Sequence, residues 1–276
     1  MNWPLCQDQL TLEQFAKTLL ETRDLDPVYF GLLGIKNKAQ LKRWLVAYWC
    51  FYHCGFACYA SERDSWQFWK LLHIAAENKK LAPIGERWPR SAERRHFRGN
   101  VAIECIKRLH VRYNKPEEFV DYISQGKTLE EVTKLVNQHY LFGSWIAFKC
   151  ADMLERCLKR PIQFTEDAVL YQEPFDGALM AYQEKYPLGH PASLRAAVVQ
   201  MTAETLDLLK AYKAPPNFNR PLGVQECETI WCKFKSHRKG HYPVGKDIRE
   251  IRHGLQGWLG ISETAVKFER ALPPLV

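Results

Sequence analysis

Three stretches of this sequence carry side chains that could bind or move anions. In Trp88–Gly99, Arg90, Arg94, Arg95 and Arg98 stand against a single acid, Glu93. On a helix opened by Pro89, Arg90, Arg94 and Arg98 fall at i, i+4 and i+8 and form one guanidinium stripe. Planar forked donors suit phosphate oxygens better than point charges do. The interleaved Trp88, His96 and Phe97 argue against a merely solvated basic face.

The second stretch has the layout of a helical hairpin. Thr128 and Glu131 make a capping box for a helix to about Gln138; Leu141-Phe142-Gly143 breaks it, and Ser144–Leu158 follows. The first turn of such a second helix offers unbonded backbone N–H groups to a DNA phosphate. Gly143 permits a conformation and a close approach denied to other residues. Gly143, Ser144, Trp145 and Lys149 are therefore candidate DNA contacts. The carboxylates Glu166 and Asp167 come next. Taken alone, such a hairpin with one glycine is a weak signal, and most are only packing units.

The third stretch is Glu226–Asp247. Five Lys/Arg and two His lie between Lys233 and Lys246, with Gly240, Pro243 and Gly245 reading as a loop. A cationic loop with exposed N–H groups suits a polyphosphate. Cys227, Cys232, His237 and His241 could also be read as zinc ligands, but the Cys-to-His gap is short and neighbouring lysines oppose a cation. Cys50, Cys54 and Cys58 share one helical face and read as small buried side chains. No metal is expected.

The elements that must position these residues read as helices, and no alternating strand pattern appears, so the class is all-α. Helices are expected over 11–21, from Asp26-Pro27, over 38–62, 65–78, from Pro89, over 128–138, 144–158, 193–212, 227–235, 246–254 and 262–271. Pro161 and the 172–176 stretch read as breaks. The 276 residues suit a single helical domain; a two-lobe division would join 1–120 with 215–276 and set apart 121–214, with the hairpin.

Composition bounds the partners. The net charge of +8 calls for an anionic one, whether nucleic acid, membrane or small phosphate. The apolar run Trp44–Ala60 contains His53 and is flanked by charges, so it reads as a buried helix rather than a membrane span. Met1-Asn2-Trp3-Pro4 does not resemble a signal peptide, and nine cysteines then point to a reducing cytosol.

Long phrases of the chain resemble a known family. "WPRSAERRHFRG", "YLFGSWIAFKCADMLER" and "CETIWCKFKSHRKGHYPVGKDI" are similar to the phage amino acid:DNA transferases, also described as alpha-glutamyl/putrescinyl thymine pyrophosphorylases. "DLDPVYFGLL" and "WLVAYWCFYHCGFACYASE" extend the likeness over about residues 24–256. The resemblance implies a helix-hairpin-helix DNA glycosylase-like architecture. It also implies an enzyme that displaces pyrophosphate from 5-pyrophosphorylmethyl-deoxyuridine in DNA with an amino acid. The partners it implies are double-stranded phage DNA carrying pyrophosphorylated 5-hydroxymethyluracil and a free amino acid such as glycine or serine. The setting is the cytoplasm of the infected host, without a cofactor.

On that reading Arg90, Arg94, Arg95 and Arg98 form one wall of a pyrophosphate clamp, and Lys233, Lys235, His237 and Lys246 the other. Asp167, Glu166, His241 and His237 are the candidate catalytic residues. The sequence departs from the glycosylase pattern, since the turn has Gly143 alone where two glycines are usual. That leaves the role of Glu166 or Asp167 open. A DNA glycosylase and a non-catalytic DNA-binding protein are the alternatives.

Overall fold

The computed structural model describes residues 9–276, apart from the side chain of Asp167; the leader reading at Met1–Pro4 lies outside them. The described residues form fourteen α-helices and no named strand. In chain order these are α1 (Leu12–Glu21), α2 (Pro27–Leu32), α3 (Lys38–Phe51), α4 (Cys54–Ser61), α5 (Ser65–Glu77), α6 (Gly99–Arg112) and α7 (Pro116–Ile123). There follow α8 (Leu129–Val136), α9 (Ser144–Leu158), α10 (Gln172–Lys185), α11 (Leu194–Leu208), α12 (Val224–Arg238), α13 (Lys246–Leu255) and α14 (Glu263–Ala271).

The chain divides into two compact units. Of the described residues, one holds 9–27, 163–249 and 273–276, the other 28–162 and 250–272. The first unit packs α1, α10, α11 and α12 around Phe15, Leu19, Ala178, Met201, Trp231 and Phe234. Gly177 lets α10 approach α12, since a Cβ there would stand 2.2 Å from the carbonyl oxygen of Trp231.

The second unit is built on α3, whose residues 44–51 are all buried. The long helix expected over 38–62 is broken: Tyr52 takes a left-handed conformation at φ 51°, and His53 starts α4 by accepting the Phe56 N–H at Nδ1, 3.1 Å away. Apolar spacing continues across this joint, so periodicity does not reveal it. The break leaves a column of ring contacts, with Phe268–Trp44 at 5.5 Å, Trp44–Tyr48 at 4.7 Å, Tyr48–Tyr52 at 4.5 Å and Tyr52–Trp145 at 5.1 Å. Offset ring pairs of this kind add to the area they bury.

Two further expectations fail. The 172–176 stretch opens α10 instead of breaking the chain, because Pro174 sits in the first turn, where its missing N–H costs nothing. The helix from Pro89 is not formed. Residues 92–97 are turns and bend, and Gly99 turns the chain at φ 59° to start α6.

Candidate active site

The hairpin forms with half of the expected capping box, since Glu131 reaches past the N-cap to the residue before it. Thr128 Oγ1 accepts the Glu131 N–H at 3.1 Å, and the Glu131 carboxylate reaches back to the Lys127 N–H at 2.8 Å. The left-handed residue of the turn is Leu141, at φ 65°, and not Gly143, which is extended at φ −98°. A Cβ on Gly143 would meet nothing within 4 Å. Neither backbone conformation nor packing requires glycine there. Gly143 and Ser144 are exposed at the start of α9, Trp145 lies half-buried against Tyr52, and Lys149 is half-buried beside Phe148.

The four arginines divide. Without a helix there is no stripe at i, i+4 and i+8. Arg94 turns inward: its Nε donates to the Cys50 carbonyl at 3.3 Å and Nη1 to that of Leu141 at 3.1 Å. The Phe97 and Phe142 rings lie 4.9 and 5.4 Å from its guanidinium carbon. Burial lowers its pKa, and only thiols, those of Cys50, Cys105 and Cys150, oppose that. Arg94 therefore holds the hairpin turn. Arg90, Arg95 and Arg98 are exposed, and none has an ion pair among the described residues; Arg95 bonds to His96.

The third stretch is mostly helix, because α12 runs on to Arg238. Lys233 and His237 share its buried face. The Lys233 ammonium donates to the Asp24 carbonyl at 2.5 Å and pairs with Asp247 at 2.6 Å. His237 is stacked on Phe15 at 4.5 Å; its Nε2 accepts the Leu10 N–H, and its Nδ1 faces the Tyr242 carbonyl at 2.9 Å. Lys235, on the opposite face, is paired with Glu173 and Asp176 of α10. These pairs raise its pKa against the opposing effect of burial. Only the end of the stretch is a loop, where His241 is exposed and Lys246 donates to the His241 carbonyl at 3.1 Å.

Asp24 anchors that loop. Its carboxylate accepts the Gly245 N–H at 2.7 Å, the Tyr242 hydroxyl at 3.0 Å and the Ile248 N–H at 3.3 Å. Burial raises its pKa, with Lys233 acting the other way. Among the described residues, no group of three His, Cys, Asp or Glu side chains could hold a metal ion.

Glu166 is exposed on a 3-10 turn (Glu166–Val169); the Asp167 side chain lies outside the described residues. That turn packs against α12, which carries two buried acids absent from the sequence-based candidates. Glu226 is neutralised by both terminal nitrogens of Arg220, at 2.9 and 3.0 Å, and by the Gly223 N–H at 2.7 Å. Glu228, 2% exposed, makes no ion pair among the described residues. It accepts from the Tyr171 hydroxyl, the Cys232 thiol at 3.3 Å and the Thr229 hydroxyl at 3.2 Å. The signal in sequence was an acid three residues before Trp231 on a helix whose neighbouring faces are buried.

The described residues thus form a helical fold that carries a helical hairpin with an open N-terminal turn on α9 and a buried acid on α12. Residues 9–241 match the amino acid:DNA transferase family, and the chain belongs to it. It is an amino acid:DNA transferase of phage DNA hypermodification. The chain is 43% identical to the "Glycinyltransferase" of Pseudomonas phage PaMx11, over 96% of this chain and 97% of that one. It is 28% identical to the "Putrescinyltransferase" of Delftia phage PhiW-14, over 95% of this chain and 83% of that one. Among the described residues no helix is long and apolar enough to cross a membrane.

Proposed function

We propose that this enzyme transfers glycine to 5-pyrophosphorylmethyl-deoxyuridine in double-stranded phage DNA, releasing pyrophosphate, in the cytoplasm of the infected host. The observation that carries the donor is the 43% identity, end to end, with a glycinyltransferase. Glycine and putrescine, the donors named by the two relatives, share a primary amine. The amine nitrogen attacks the 5-methylene carbon, and the carbon–oxygen bond to pyrophosphate breaks with its electrons on the leaving oxygen.

A helix-hairpin-helix glycosylase-like architecture supplies a way to reach the base, by everting it from the duplex. The exposed Arg90, Arg95 and Arg98 are suited to bind phosphate oxygens in the second unit, and Lys246 and His241 in the first. Gly143, Ser144 and Trp145 are suited to meet the DNA backbone at the open end of α9. Among the sequence-based candidates, exposed Glu166 and His241 remain able to reach a substrate, whereas His237 is occupied in the core.

The test is mass analysis of nucleosides from pyrophosphorylated DNA incubated with the enzyme and pooled amino acids. A nucleoside carrying one glycine is expected. A nucleoside carrying another amino acid would overturn the donor, and unchanged pyrophosphorylated nucleoside would overturn the reaction.

A further inference from the structure

Glu226 and Glu228 lie two residues apart on α12 and are both almost fully buried, yet only one is neutralised. Arg220 and a backbone N–H account for Glu226. Glu228 has only neutral donors: a phenol, a thiol and a hydroxyl. Taking a carboxylate out of water without a counter-cation is costly, and three hydrogen bonds from neutral donors offset only part of that cost. An unneutralised carboxylate below the surface is instead what an incoming cation needs. Two of its neighbours, Tyr171 and Cys232, are half-buried, so the carboxylate lies one side chain beneath the solvent. The other ionisable groups on the 3-10 turn packed against α12 are Glu166 and Asp167, both acids, which supply no positive charge.

We propose that Glu228 is the site of the donor's amino group: its carboxylate receives the primary ammonium and takes the proton that must leave before attack. This rests on the amine-transfer reading above. At neutral pH glycine is almost entirely an ammonium ion, with no lone pair on nitrogen. Proton transfer to Glu228 frees that pair, which forms the new carbon–nitrogen bond as pyrophosphate leaves. A second proton is then lost from nitrogen to solvent, and Glu228 returns its own proton to water. Tyr171, Thr229 and Cys232 hold the carboxylate in place by hydrogen bonds that the proton does not need.

The experiment compares glycine with hydroxylamine, an amine already neutral at neutral pH, in single turnovers on pyrophosphorylated DNA. In Glu228→Gln, glycine transfer is expected to fall on the order of 10²-fold or more, while hydroxylamine transfer stays within about threefold of the unaltered enzyme. The ratio of the two rates on one preparation does not depend on how much of the protein is folded. Glu228→Asp, which retracts the carboxylate by one methylene, serves should the glutamine variant not fold, and an intermediate ratio is expected. An unchanged ratio in the variant that folds overturns the proposal. If the unaltered enzyme transfers neither amine, the amine-transfer reading itself fails, which is a separate outcome.

Discussion

The guanidinium of Arg94 donates to the carbonyl oxygen of Leu141 at 3.1 Å, tying a residue of the hairpin turn to the segment before α6. Leu141 is the turn's left-handed residue, a conformation that costs a leucine energy and that needs such a tie. Arg94→Ala removes two hydrogen bonds and the filling between Phe97 and Phe142. A destabilisation of about 2–3 kcal/mol is expected by denaturant unfolding. Arg94→Lys should recover only part of it, since an ammonium lacks the fork. An alanine variant as stable as the parent would show that Arg94 does not hold the turn.

Gly143 has room for a side chain and an ordinary backbone conformation. Gly143→Ala is expected to change stability by less than about 0.5 kcal/mol. Its affinity for duplex DNA is expected to fall about tenfold, because the new methyl group occupies the space through which a phosphate approaches α9. Unchanged affinity would remove the hairpin from the DNA interface.

Arg90, Arg95 and Arg98 should be read through salt. In the triple alanine variant, the dependence of log affinity on log salt is expected to become shallower by about 0.9 for each phosphate no longer neutralised. Fluorescence anisotropy of a labelled duplex over a salt series measures this. Lys159→Ala, at an exposed helix end, is the control and should leave the slope unchanged. An unchanged slope in the triple variant would place these side chains away from DNA.

Lys233 is expected to act on stability and not on phosphate. Lys233→Met keeps the bulk of the chain but leaves Asp24 and Asp247 without their buried cation. Breaking a fully buried pair from one side costs about 3–5 kcal/mol; with Asp247 33% exposed, about 2–3 kcal/mol is expected. Thermal unfolding should show the loss, while the rate of transfer per folded molecule stays close to that of the parent. A stable but inactive variant would return Lys233 to the substrate site.

His53 gives a pH dependence of defined sign. Burial lowers its pKa from the ordinary 6.5 to about 4 in the folded protein, and its Nδ1 must stay unprotonated to cap α4. The unfolded chain therefore binds the extra proton between these values, and stability falls as pH drops from about 6.5 toward 4. For a half-buried ring the loss is on the order of 1–3 kcal/mol. His53→Asn keeps a capping acceptor that does not titrate. The difference between parent and variant in urea unfolding at pH 7, above the window, and pH 4.5, near its lower end, should isolate it. Parallel curves would refute it.

Much of the helical pattern was legible because local chemistry encodes it. The Thr128 cap, the turn at Leu141–Gly143 and the apolar spacing of Ser144–Leu158 each specify the same hairpin. The joint at Tyr52 was not legible, since apolar residues continue on both sides and a tyrosine rarely takes a left-handed conformation. The fate of each cation was equally hidden. Arg94 and Arg95 are the same letter, as are Lys233 and Lys246, but what Arg94 and Lys233 bind comes from distant segments: Cys50, Leu141, Asp24. Glu228 could not be told from Glu226 because what distinguishes them is Arg220, six residues before Glu226 and bonded to it.

The half-buried thiol beside Glu228 has a practical consequence. Burial holds the thiols of Cys50, Cys54, Cys58, Cys105, Cys150 and Cys227 in their protonated form, Cys50 up to about 12. Among the described cysteines only Cys157 and Cys232 reach toward solvent. With Cys6 and Cys157 replaced, a maleimide dye would therefore attach preferentially at Cys232, so that its colour or lifetime could report each amine as it arrives.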